Sequence, residues 1–210
     1  IGSCLFAFNQ ATRRIRRLSL ICTISLGAFA GLHTLLVMNQ SPILYPLWVK
    51  GALEPRPLFE KWNSFSRIQV VGDPETEQFP FGWGLSPVLP RDLHRRQLHL
   101  LIDANAGTPL TYFDGDLGQH EYLKYDVTNI AHHIRRNGRV LVVGAGGGRD
   151  ILSALVFRQK SVLGVEINDS IIGAVNGRFG DFTGHLDKRP DVAIVNDEAR
   201  SYIARLTDRF

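Results

Sequence analysis

Residues 140–150 read VLVVGAGGGRD, an apolar run followed by Gly144, Ala145, Gly146, Gly147 and Gly148 and then a charge pair. A turn so short of side chains can bend tightly and lie against a ligand, while the helix behind it supplies free backbone amides. Two carboxylates follow at matching places: Glu166 closes GVE, with Ile167 beside it, and Asp197 closes IVND, with Glu198 beside it. A carboxylate at the first place can accept both hydroxyls of an adenosine ribose, and one at the second can accept from an adenine amino group. The combination reads as a slot for the adenosyl part of an S-adenosylmethionine-type cofactor.

Rival readings exist for each piece. A dinucleotide site has the spacing GxGxxG, with glycine or alanine at the third place for close helix packing; Arg149 stands there. Glu166 could cap a helix starting near Asp169, and Asp197 one starting at EARSYI. Independent caps need not line one crevice, so both acids at strand ends in register with GxGxG favour the ligand. His132 and His133 are adjacent on an expected helix and diverge, so no metal site is expected.

These residues need a scaffold that brings strand ends together. From Arg139 onward RVLVV, DILSALVF, SVLGVEI, DSIIGAVNGRF, DVAIV and EARSYIARL alternate strand and helix character. That is the pattern of a parallel sheet with crossover helices, whose ligands sit at the carboxyl ends of the strands. Upstream, Leu123, Val127, Ile130, Ala131 and Ile134 recur at helical spacing and predict a helix to Arg136, stopped by Asn137 and Gly138. FSRIQVV (65–71) alternates as a strand, and HLLID and PLTYF read as a hairpin turning at NAGT. Phe79, Phe81 and Trp83 read as packing anchors. The expected organisation is a membrane segment (1–38), a proline-containing linker (39–64), a small β domain (65–118) and an incomplete Rossmann-like α/β domain (119–210).

LSLICTISLGAFAGLHTLLVM, residues 18–38, carries no formal charge with His33 neutral and is long enough to span a bilayer. Gly27 and Gly31 would permit close approach of a second helix, but such a pair is more often incidental and no dimer is read from it; a homo-oligomer is compatible with the sequence. The flank RRIRR would be held in the cytoplasm and send the following domain across the membrane. An adenosyl cofactor is cytosolic, and the expectation is a membrane protein with its α/β domain in the cytoplasm. The chain opens on Ile1 and ends at Phe210, which reads as a piece of a longer protein.

The formal charge of +4 is matched by Arg13, Arg14, Arg16 and Arg17; the remaining 20 basic and 20 acidic residues balance, which argues against nucleic acid as a partner. Both cysteines, Cys4 and Cys22, precede the α/β part, so no disulfide framework is expected there.

At this level the chain resembles the spermidine synthases and polyamine aminopropyltransferase-like proteins of the class I methyltransferase fold. The likeness covers residues 62–210 and rests on LLID, HEYLKYDVTNIAHHI, VLVVGAGGG, GVEIN, LDKRPDVAIV and NDEARSYI in that order. It implies a transferase that moves an alkyl group from a sulfonium to a small-molecule amine or similar nucleophile, with S-adenosylmethionine or its decarboxylated form as cofactor. It further implies that Gly144, Gly146 and Gly148 line the nucleoside, Glu166 holds the ribose, and Asp197 with Glu198 borders the adenine. The family's GGGDG carries an aspartate where this chain has Gly147, which puts aminopropyl transfer in doubt. With Arg149 nearby, the change would admit the carboxylate of ordinary S-adenosylmethionine, giving a methyltransferase. Tyr125, Asp126 and Val127 stand where the family tends to show Tyr-His-Glu. No catalytic acid is assigned; the family's follows a fourth strand, expected past Phe210. Two other readings remain: a nicotinamide-dependent oxidoreductase, and a non-catalytic membrane-tethered protein that binds adenosyl nucleosides.

Overall fold

The computed structural model describes residues 12–64, 66–104, 106–207 and 209–210. Cys4, Phe65 at the head of an expected strand, and Asn105 of the expected turn lie outside the described residues. The chain divides into two units, Ile1–Glu54 and Pro55–Phe210.

The first unit holds helix α1 (Arg13–Met38) and a hairpin of β1 (Trp48–Val49) and β2 (Ala52–Leu53). Helix α1 is long and apolar enough to cross a membrane, and none of its residues is buried. Two of its hydroxyls bond its own backbone: Thr23 and Thr34 each donate to the carbonyl four residues back, at 2.8 Å. This satisfies side chains that would otherwise need water.

In the second unit, β3 (Phe59–Trp62), β4 (Arg67–Val71), β5 (Glu77–Gln78), β6 (Arg95–Ile102) and β7 (Ala106–Thr111) form an antiparallel sheet. Strand β3, and the hairpin of the first unit, fall inside the stretch expected to be a plain linker. The β6–β7 hairpin is longer than HLLID and PLTYF suggest, with Ile102 paired to Ala106, and Asp103 and Ala104 at positive φ in the turn. Pro109 sits within β7, which pairs only with β6, so the ring's missing N–H breaks no ladder.

The parallel sheet has the order β10 (Val192–Asn196), β9 (Ser161–Glu166), β8 (Arg139–Val143). Between its strands run α3 (Arg149–Val156), then α4 (Asp169–Ile172) continuing into a π-helical stretch (Gly173–Arg178) and α5 (Gly180–Thr183). Helix α6 (Ala199–Arg205) follows β10. One core joins α3 to the strands through Ile151, Leu155, Val142 and Val162; a second joins Ile171 and Val175 to Ile68, Val70, Leu98 and Leu100 of the antiparallel sheet. The two sheets are thereby locked by the crossover helix, which fixes where the glycine turn meets β7.

The helix expected before the glycine strand is instead three pieces: 3-10 turns over Leu117–Tyr125 and Val127–Asn129, then α2 (Ile130–Ile134). Asp126 breaks it, with its carboxylate accepting from Thr128 N–H and Thr128 Oγ1 at 3.1 and 2.9 Å. This local bond competes with helical pairing. Of the apolar residues at helical spacing only Leu123 is fully buried; Val127, Ile130 and Ile134 are 62, 58 and 81% exposed.

Candidate functional site

The turn after β8 is built by backbone rather than side chains. Gly144, Gly146 and Gly148 adopt φ of +73, +51 and +83°, the left-handed region that glycine enters without strain. The amides of Gly144 and Ala145 both donate to Val165 O, at 2.8 and 3.2 Å, which pins the turn to the end of β9.

Glu166, the last residue of β9, closes the same space. Its Oε2 accepts the Gly146 amide at 3.0 Å and its Oε1 the Asn168 amide at 3.0 Å; the residue is 6% exposed. The helix cap that Glu166 could have provided is supplied by Asn168, whose Oδ1 accepts the Ser170 amide at 3.1 Å. A carboxylate has about four acceptor positions, so two remain for a hydroxyl-bearing ligand.

The five turn residues do not share one role. Gly144 is exposed, and a Cβ there would meet nothing within 4 Å. Ala145 is buried in the core. Beyond it the turn is packed: a Cβ on Gly146 would lie 3.4 Å from Thr108, and one on Gly148 3.2 Å from Leu186. A Cβ on Gly147 would lie 2.3 Å from the Pro109 carbonyl oxygen, which is impossible without moving β7. Glycine at 147 is therefore required by the approach of the other sheet. Gly147→Asp is expected to lower the melting temperature by several degrees, and calorimetric titration should show no gain in preference for the decarboxylated cofactor.

Ala145, Gly146, Gly148 and Glu166 border a cleft whose floor is Ile151, Ile172, Val175, Leu186 and Ile194, and the space enclosed is only about 10 Å³. That is room for one water; Gly144 and the 55% exposed Ile167 lie outside this lining.

Asp197 and Glu198 stand at the neighbouring strand end, since Asn196 is in register with Glu166 and Asp197 N–H donates to Glu166 O at 3.2 Å. Their carboxylates are engaged elsewhere. Asp197 pairs with Arg205 of α6 and accepts the Glu198 amide at 2.8 Å. Glu198 caps α6, accepting from Arg200 N–H, Ser201 N–H and Ser201 Oγ at 2.9, 2.8 and 2.7 Å. The Ser201 hydroxyl first, then the two amides, bring its pKa down to about 2.

Arg149 does not line the cleft. Its side chain, 3% exposed, turns back from the start of α3 and places Nη2 2.5 Å from Oδ2 of Asp126, which is wholly buried. The same Oδ2 accepts Trp83 N–H at 2.9 Å, so one carboxylate ties the loop at Trp83 to the helix behind the glycine turn. Burial pushes the Asp126 pKa up, but Thr128, Arg149 and the Trp83 amide outweigh it and hold the group below the usual carboxylate range. Sequence reading missed this pair. Its one signal was an arginine at the first turn of an apolar helix, where burial obliges a partner.

No family model and no curated protein matches the chain. Solved structures similar to it include a spermidine synthase in complex with the transition state analogue AdoDATO, at 16% identity and a TM-score of 0.44 over 73% of this chain and 45% of that one. Spermidine synthase from Thermotoga maritima gives 16%, 0.43, 73% and 45%. A probable spermidine synthase from Corynebacterium glutamicum gives 16%, 0.41, 70% and 47%. The chain spans less than half the length of these proteins.

Proposed function

We propose that the α/β domain binds the adenosyl part of S-adenosylmethionine or its decarboxylated form, and that the protein transfers an alkyl group from it to a small-molecule nucleophile such as an amine. One observation carries this reading: the Gly146 amide and the Glu166 carboxylate meet at 3.0 Å, so a bare turn and a buried acid border one cleft at the strand ends. Glu166 would hold the ribose hydroxyls with its remaining acceptor positions, Gly144 would let the ligand lie on the backbone, and Ile167 would give the base an apolar face.

When bound, the cofactor supplies a sulfonium whose carbon is attacked by the nucleophile, the carbon–sulfur bond breaking to leave a neutral thioether. The chain's own part is to bind, orient and exclude water; no side chain is assigned as the base that takes the nucleophile's proton.

Gly147 does not decide between methyl and aminopropyl transfer, because a Cβ there would meet the Pro109 carbonyl rather than a ligand. Methyl transfer is favoured because, among the described residues lining the cleft, Glu166 is the one carboxylate, which leaves no second acid to hold the free amine of the decarboxylated cofactor. Calorimetric titration of the full chain in detergent is expected to give S-adenosylmethionine an affinity at least equal to that of the decarboxylated form. A clear preference for the decarboxylated form would instead make the protein an aminopropyltransferase, and no heat with either would refute adenosyl binding. The domain is proposed to work in the cytoplasm, anchored by α1; protease accessibility in sealed vesicles tests that orientation.

A further inference from the structure

Arg149–Val156 carries the glycine turn at its first end. At its other end a second concavity of about 270 Å³ is lined by Lys124, His132, His133, Arg136, Phe157 and Arg158. Every ionisable group in this lining is basic. The acids nearby are Glu121, which pairs with Lys124, and Asp150, whose charge acts on His132. Arg136 and Arg158 have no carboxylate within ion-pair distance among the described residues, and both are exposed.

The imidazoles are fixed by their neighbours. The Gln159 amide oxygen accepts Gly138 N–H at 2.7 Å, so its Nε2 must be the donor that reaches Arg135 O at 2.8 Å and His132 Nδ1 at 3.1 Å. His132 Nδ1 is therefore an acceptor, and the ring is a neutral tautomer with its proton on Nε2. Burial first, and His133 as well, lower its pKa, in the same sense. His133 Nε2 lies 3.1 Å from Lys124 O and donates to it, and its ring packs edge-on to Phe157 at 4.7 Å. Cations at a helix C-terminus commonly answer the helix dipole. Here two arginines, a lysine and two histidines also line one concave space, which dipole compensation does not require.

We propose that this pocket binds a small phosphate-bearing anion, held by Arg136 and Arg158 with Lys124 and His132 Nε2–H as further donors. Planar guanidiniums match phosphate oxygens in pairs, and an oxyanion can use the neutral imidazole without asking it to ionise. The chemistry is common to a free diphosphate and to a lipid head group.

The test is calorimetric titration of the full chain in maltoside micelles with inorganic pyrophosphate and, separately, glycerol 3-phosphate. Tighter pyrophosphate binding assigns the site to a free phosphate compound, and tighter glycerol 3-phosphate to a head group. In either arm Arg136→Gln and Arg158→Gln should each weaken binding about tenfold. Glu166→Gln should leave phosphate binding unchanged, which separates this site from the adenosyl slot. Absence of binding in both arms, or binding that survives the double arginine variant with its melting temperature intact, would overturn the proposal.

Discussion

Glu166→Gln is expected to weaken S-adenosylmethionine binding about 100-fold. Both oxygens of Glu166 already face backbone amides, from Gly146 and Asn168, each at 3.0 Å. Glutamine offers one oxygen and one NH2, so one of those amides must face a donor, at a cost of about 1–3 kcal/mol. The negative charge that would receive the ribose hydroxyls is lost as well, and hydrogen bonds to charged groups contribute about 1.5–3 kcal/mol. Most of the first cost falls on the turn itself and most of the second on the ligand. Melting without cofactor reads the first, and calorimetry on the folded variant reads the second. A folded Glu166→Gln protein with unchanged affinity would remove Glu166 from the site and with it the main support for adenosyl recognition.

The largest effect on stability is expected at Asp126. In the Asp126→Asn protein Arg149 stays charged and buried with only the exposed Asp150, 3.5 Å from Nη1, as counter-ion, and breaking such a buried pair from one side costs about 3–5 kcal/mol. That is a large share of the ~5–15 kcal/mol that a domain typically has. Denaturant titration should therefore show a much lower midpoint with little change in slope. Arg149→Met should cost less, because Asp126 keeps its bonds to Trp83 N–H and to both donors of Thr128. A double variant should be less destabilised than the sum of the singles, since it leaves no orphaned charge. The pH dependence has a definite sign. A carboxylate with a lowered folded pKa contributes fully above its unfolded value of about 3.9 and loses that contribution as pH falls through the folded one. The wild type should thus weaken in that acid range, and Asp126→Asn should show a shallower acid limb. Equal stability of Asp126→Asn and wild type would mean the pair is not formed.

The two experiments probe different sides of one turn. Glu166 holds it from the strand edge, while Asp126 holds Arg149, the residue that begins α3, from behind. A loss of cofactor affinity in Asp126→Asn at temperatures where it remains folded would show that the rear tether positions the turn.

Local pattern was enough to foresee the parallel sheet, the glycine turn and the place of Glu166. Strand and helix periods are written in the order of apolar residues, and a turn at φ of +73, +51 and +83° is one that glycine enters without strain. What each face meets was decided only in three dimensions. Val127, Ile130 and Ile134 recur at the spacing of one continuous helix, yet Asp126 bends the chain and leaves all three exposed. Gly147 could be read as a missing ligand contact, but the Pro109 carbonyl of another sheet requires a residue without a Cβ. Arg149 and Asp126 gave no sign in sequence that they were partners, and Asp197 none that Arg205 would take its carboxylate. A hydrophobic period specifies that a face is apolar and a charge that it needs compensation. The partner is chosen by the packing of segments distant in the chain, and no local spacing records that choice.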